Sequence, residues 1–536
     1  MMKSEKSGAR SVRTVALMMG ATVLAKLLGM LRGVLLAGRY GTGIEANAFS
    51  EASHIPLTFF DLLLSAAILG CFIPVYNSLK DEKTSDRFAG LFLNLVLLAT
   101  GIMAFAGILL AKPIMMLMGG GLAPETQRLA VRLLRMLFPM IIFTGATYTL
   151  VGVMQSKGRF LLPALVSAIS NGGIIIYLLF IDGLLGEGRV YGLAAAYLLS
   201  WLLQLATLAI PLYISGFRVG FGLGNDGSPV DTEAHEALRK ALKMAPPIML
   251  GSWLSPVTLL SGLFFSQYAE GGNVTVFDYA NNAYVIIAGI LTYSICNYIF
   301  PRLSRLAASS GSGGEGDFNR TTRTGLLSAL AMILPFTFAM WVLSREGIAL
   351  LYMRGEFTAA DTLLTASALR GISIGMPAFA VCELLSRTFY SRGQTTVPML
   401  ASVCGIAANF AVSCLLIFGF ELGMGAVGAA VAAGQWASAI VLLTASALRI
   451  KGLFTPRFVL SCLGLAASAA LSGAVMETVR RLIGSDPGSA SKIVNFSIIC
   501  AVFAAGAVIY AVPCLAGFTV LRSKTRDNST EEGNKR

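Results

Sequence analysis

Two long, mostly apolar stretches of this chain repeat one another without a gap. The first runs from Met118 through Gln155-Ser156-Lys157-Gly158 to Pro163-Ala164-Leu165. The second runs from Met353 through Tyr390-Ser391-Arg392-Gly393 to Pro398-Met399-Leu400, 235 positions further on. Arg135 falls on Arg370, Ser156 on Ser391, Gly158 on Gly393 and Pro163 on Pro398. A shorter echo lies upstream, where Phe72-Ile73-Pro74-Val75 resembles Ile299-Phe300-Pro301-Arg302 at a spacing of 227. An apolar chain built twice from one unit is expected to form two lobes with a cavity between them, the architecture of a transporter.

Composition removes the soluble alternative. Over 536 residues the mean hydropathy is +0.73, with 55% hydrophobic and only 13% charged residues. A water-soluble fold of this length cannot hide so much apolar surface. The apolar runs are too long for the ten-residue strands of a barrel, so they read as helices. A net charge of +13 would suggest nucleic acid on a soluble protein, but here it reports loop topology and no nucleic-acid partner is expected. The eight cysteines are scattered through apolar segments with no CxxC pair, and the two histidines, His54 and His235, are far apart. Neither pattern has metal-ligand spacing.

The reading is an all-α polytopic membrane protein with fourteen spans. They lie near 12–39, 45–78, 86–111, 125–155, 161–181, 190–215, 240–268, 275–304, 320–344, 359–391, 397–419, 424–448, 456–476 and 494–521. Pro56, Pro139, Pro256 and Pro377 fall inside spans and predict kinks. Loops on the N-terminal side, with the tail, carry 26 Lys and Arg; the opposite loops carry nine. That bias places both termini in the cytoplasm. The repeat phase gives a unit of six helices, hence two lobes related by a pseudo-twofold axis along the membrane normal. Residues 1–230 form the first lobe, 231–452 the second, 453–522 two extra helices, and 523–536 a polar cytoplasmic tail. A surface helix is expected over 232–243 and a flexible loop over 307–317.

Ionisable groups inside spans need a reason, because each costs a few kcal/mol (roughly) to insert. The first span holds Lys26 and Arg32. The second holds Glu51, His54, Thr58, Asp61 and Ser65, at spacings that draw one polar stripe along a helix face. Two readings stay open at this point. The cations could neutralise Glu51 or Asp61 for structure alone. Alternatively the stripe lines a wet cavity in which Lys26 and Arg32 meet an anion, and arginine suits phosphate through its bidentate fork. Glu383 and Arg387 have the spacing of a helix salt bridge. No GxSxG, P-loop or other catalytic constellation is present, so no enzyme and no cofactor is expected. Transport would run on a gradient, on the membrane potential, or downhill.

The run AKLLGMLRGVLLAGRYGTGIEANAF from Ala25, the IP at 55–56 and SAAILGCFIPVY from Ser65 resemble the start of the MurJ (MviN) lipid II flippases. LYMRGEFTAADTLLTASALRG from Leu351 and LLSRTFYSRGQTTVP from Leu384 are similar to the same family. The resemblance covers spans 1 to 12. It implies membership of the multidrug/oligosaccharidyl-lipid/polysaccharide exporter superfamily, two lobes in a V, alternating access, and residence in the bacterial cell membrane. It also implies a substrate, lipid II or a related polyprenyl-pyrophosphate glycolipid, moved from the inner to the outer leaflet, with cell-wall synthesis proteins as partners. By position Arg32 matches the family's cavity arginine. Asn47 stands where an acid is usual, Asn282 where an arginine is usual, and Ser261 where the sodium-site aspartate is usual. Asn409 and Ser413 fall on the remaining sodium-site positions. The cavity candidates are therefore Arg32, Lys26, Asp61, His54, Glu51, Asn47 and Asn282. Another exporter of the superfamily, taking a different polyprenyl-linked glycan or a small amphiphile, is the alternative. A membrane-embedded glycosyl- or acyltransferase would need a carboxylate or histidine cluster that the outer loops do not offer.

Overall fold

Backbone amides cannot stay unpaired in hydrocarbon, and apolar runs of twenty or more residues meet that constraint as helices. The computed structural model describes residues 2–217, 228–252, 254–308, 314–450, 452–484 and 491–511. In the first turns of the chain, around Thr58 and Asp61, and across the junction near 247–255, the backbone alone is described. The polar tail, the linker over 218–227 and the centre of the expected loop at 307–317 lie outside the described residues.

The chain divides into two units, Met1–Gln267 with Arg354–Phe357, and Tyr268–Met353 with Thr358–Arg536. The first contains α1 (Met2–Tyr40), α2 (Ile44–His54), α3 (Asp61–Ser78), α4 (Glu82–Leu109), α5 (Ala111–Met118) and α6 (Pro124–Leu137). It continues with α7 (Met140–Ser156), α8 (Leu161–Ile176), α9 (Arg189–Ile214), α10 (Pro229–Ser252) and α11 (Leu254–Ser266). The second contains α12 (Val274–Ala308), α13 (Gly314–Val342), α14 (Ser344–Tyr352), α15 (Ala359–Ser373) and α16 (Met376–Ser391). It ends with α17 (Thr396–Ser413), α18 (Met424–Arg449), α19 (Pro456–Ile483) and α20 (Lys492–Ala511).

Eleven helices among the described residues are long and apolar enough to cross a membrane, and the bent pair α15–α16 makes a twelfth. The two remaining expected spans, the second and the seventh, are helical but broken, with shorter apolar pieces at Ile68–Ser78 and Pro256–Ser266. The arrangement is consistent with the fourteen spans. The breaks have identifiable causes. Pro56 sits in a π-helical turn, Ile55–Phe60, that joins α2 to α3. Pro139 stands between α6 and α7, and Pro377 opens α16 beyond a 44° bend. Proline removes a donor and crowds the preceding turn, so the ladder yields there.

The repeat is legible in the elements themselves. The helix pairs α6/α15, α8/α17 and α9/α18 all begin at the same 235-residue offset, well past the matching sequence. Gly158 and Gly393, which are repeat equivalents, have φ of +73° and +71°. Each closes its helix with a backward amide: Arg159 N donates to Met154 O at 2.8 Å, and Gln394 N to Phe389 O at 3.0 Å. Only glycine reaches that left-handed conformation without strain.

Packing cuts the chain at a different place from the repeat. Helix α10, which the sequence reading assigns to the second lobe, lies against α3 and α4 in the first unit, where Arg87 forms an ion pair with the nearly buried Asp231. Its first turns are the expected surface helix at 232–243. The core beside it is aromatic: Phe72 stacks on Phe88 at 5.3 Å and meets Phe92 at 5.1 Å. The segment Arg354–Phe357 also joins the first unit. Glu356 N donates to Gly38 O at 3.0 Å, and a Cβ on Gly355 would come within 2.1 Å of that same oxygen. The RGEF and GRYG motifs therefore meet, backbone to backbone, at the end of α1. In the second unit, a Cβ on Gly371 of α15 would lie 2.2 Å from Gly425 O of α18, so the two helices cross at backbone contact.

Candidate functional site

Arg32 sits two turns before the end of α1 at Tyr40, half-buried in the first unit. Its Nη1 donates to Asn171 Oδ1 of α8 at 2.8 Å. Asn171 is itself fixed, since its Nδ2 donates to Ala25 O at 3.3 Å. Gly29 keeps α1 and α8 close, as a Cβ there would already touch the Asn171 amide at 3.4 Å. The guanidinium lies 5.6 Å from the ring centroid of Tyr197 on α9, and that ring packs edge-on against Phe49 and stacks on Trp201. Among the described residues Arg32 therefore has neutral neighbours, an amide and an aromatic face, and no carboxylate. Its buried Nε donates to nothing. An orphaned buried donor is uncommon, and on a permanently charged group it marks a place where an acceptor belongs.

The ion-pair reading of the polar stripe fails for Glu51. That carboxyl group is 2% exposed and stands beside His54 and Gln267, while Arg32 is bonded to Asn171. Gln267 in turn donates to Met118 O at 2.8 Å and accepts from Gly121 N at 3.2 Å, which ties the α5–α6 turn to the end of α11. The side chains of Thr58 and Asp61 lie outside the described set. Lys26 is exposed on α1. It is six residues from Arg32, which places it roughly 120° away round the helix, so the two cations do not share a face. Asn47 has a local role, with Nδ2 donating to Thr42 O at 2.8 Å to close the turn before α2. Asn282 is exposed in the second unit and donates to Asp278 one turn earlier at 3.1 Å.

The sodium positions do not form a fitting set. Ser413 donates to Asn409 Oδ1 at 3.3 Å, both nearly fully buried in α17, so that amide oxygen is already engaged. Ser261 belongs to the first unit. Two hydroxyls and an amide bring no carboxylate to offset a cation, and no step below runs through sodium. Elsewhere the sequence reading holds: Arg387 pairs with Glu383 at 3.4 Å and reaches Asn297 at 3.1 Å.

The residues that sequence reasoning passed over are Asn171, Tyr197 and Gln267. All are neutral, so a search for charges in spans does not find them. A lone Asn in the apolar run Leu161–Ile181 was the available signal, because an amide in such a helix needs a partner.

Repeated helical halves that span a membrane, with a guanidinium that meets no carboxylate among the described residues held within the first of them, define a polytopic membrane transporter. The fold is similar to a solved lipid II flippase MurJ in an inward closed conformation, with TM-score 0.78 and 21% identity over 94% of this chain and 99% of that one. It is also similar to an inward-facing multidrug resistance MATE family transporter of the MOP superfamily, with TM-score 0.62 and 18% identity over 82% of this chain and 98% of that one. The family model described as Lipid II flippase MurJ matches residues 36–518, and the chain belongs to that family. Among its relatives, a probable lipid II flippase MurJ of Thermotoga maritima is 25% identical over 92% of this chain and 94% of its own length. One of Rhizobium tropici is 28% identical over 74% of each.

Proposed function

We infer that this protein is a lipid II flippase of the bacterial cell membrane. It carries the undecaprenyl-pyrophosphate-linked peptidoglycan precursor from the inner to the outer leaflet by alternating access. The observation that supports this for the chain's own residues is the Arg32 guanidinium, charged, half-buried, and with a donor that no described residue satisfies. A pyrophosphate supplies both missing things, negative charge and oxygen acceptors in fork geometry. Asn171 and Tyr197 orient the guanidinium without neutralising it, so its charge is available to the lipid headgroup. Release follows when the conformational cycle separates the headgroup from Arg32. Both termini lie in the cytoplasm in this reading, as the loop charges require.

The test is complementation of a strain depleted of its own lipid II flippase. Wild-type protein should restore growth, and Arg32→Ala at matched membrane level should not. No rescue by well-expressed wild-type protein would move the assignment to another polyprenyl-linked glycan, a reading that the neutral Asn47 and Asn282 at family charge positions favour.

A further inference from the structure

The second unit carries a cationic cavity where the last turns of α13 and α15 and the end of α19 converge. It measures about 330 Å³ and is lined by Arg370, Arg480, Arg481 and Glu477 together with Phe338, Trp341, Val342 and Gly473. The carboxylates nearby do not neutralise it evenly. Glu477 accepts from Arg480 at 3.0 and 3.1 Å and from Arg481 at 2.6 Å. Glu346, fully buried, accepts from Arg480 at 3.4 Å through one oxygen. Neither bonds Arg370. That side chain is instead aimed through Nε, which donates to Ser344 Oγ at 2.7 Å and to Trp341 O at 3.2 Å. Its two terminal nitrogens, and those of Arg481, have no acceptor among the described residues. Arg345 adds a further positive charge beside Arg370. The local balance is four cations against two anions.

We propose that this cavity binds the phosphodiester headgroup of an anionic membrane lipid, clamped between Arg370 and Arg481. Two guanidinium forks with free donors facing one small cavity recognise a phosphate oxygen pair. The remaining wall is aromatic, and Gly473 opens it, since a Cβ there would strike the Phe338 ring at 2.4 Å. Trp341, in its wall, is 45% exposed, as the rim of a lipid-facing crevice would be. A cationic pocket with a tryptophan at its rim and apolar surface running from it suits a headgroup still attached to its acyl chains. A free phosphate would use the arginines alone. The charge bias places this end of α13 and α19 toward the outer leaflet.

The experiment is lipid binding to the full-length protein in detergent, read by native mass spectrometry, and it is independent of transport. Dioleoylphosphatidylglycerol should be retained and phosphatidylcholine should not. Arg370→Gln and Arg481→Gln should each weaken phosphatidylglycerol binding by about tenfold, the loss of one charge-assisted pair. Unchanged binding in Arg481→Gln overturns the proposal. That side chain is 75% exposed, so the variant folds whether or not Arg370→Gln does. Displacement of the lipid by millimolar inorganic phosphate overturns the lipid assignment and leaves a simple anion site.

Discussion

Replacing Arg32 by alanine separates substrate contact from structural pairing, because the two roles predict different energies. The structure gives Arg32 one hydrogen bond to a neutral amide and one aromatic face. Losing the bond costs about 1 kcal/mol net, and losing the cation–π contact about 0.5–1 kcal/mol. The fold should therefore lose about 1–2 kcal/mol, far less than the roughly 3–5 kcal/mol of a buried ion pair robbed of one partner. Thermal unfolding in detergent measures that loss, and growth of the depletion strain at matched protein level measures transport. Arg32→Ala should melt slightly earlier and fail to rescue. Arg32→Lys should rescue in part, since charge survives and the fork does not. In a double-mutant cycle, Arg32→Ala with Asn171→Ala should show a coupling near 1 kcal/mol. Full rescue by Arg32→Ala would refute the reasoning. So would a large instability that Glu51→Gln reverses, which would make Arg32 the partner of a buried acid after all.

Asn171→Leu should reduce rescue while leaving Arg32 in place, because the orienting acceptor is gone; growth like wild type would show that orientation does not matter. Arg87→Ala removes the arginine from Asp231, whose side chain is 4% exposed and keeps His235 at 3.9 Å, and should cost about 1.5–3 kcal/mol by thermal unfolding. Part of that loss should return in Arg87→Ala with Asp231→Ala. Gly371→Ala or Gly428→Ala puts a methyl group within 2.3 Å of carbonyl oxygens across the α15–α18 crossing, so monodisperse yield on size-exclusion chromatography should collapse. In sealed cells an impermeant thiol reagent should label Gly120→Cys and spare Ser312→Cys; the reverse pattern would invert the topology.

What the sequence made legible is what periodicity and backbone chemistry carry. The repeat offset found between Met118 and Met353 persists to the starts of α9 and α18, where the residues themselves no longer match. Pro56 and Pro377 announced the breaks in their spans, and the alignment of Gly158 with Gly393 matched two helix ends that share a left-handed glycine. Arg32 was legible as a charge where none should be. Its partner was not, because an amide facing a guanidinium leaves no charge pattern to read. The association of α10 with the first unit was equally hidden, since a repeat records how a gene was duplicated and not which surfaces later packed.

The meeting of RGEF with GRYG has a mechanical consequence. Residues 354–357 hold the end of α1 through backbone groups, with Gly355 leaving no space for a side chain, and they run on covalently into α14 and α15. The helix that carries Arg32 is thus moored to a strap whose two ends belong to the other half of the molecule. A displacement of α14 or α15 is delivered to α1 as a pull along the main chain, which stretches far less readily than side-chain packing slides. The helix that holds Arg32 is in this way tied to α14 and α15 by covalent bonds and one hydrogen-bonded clip.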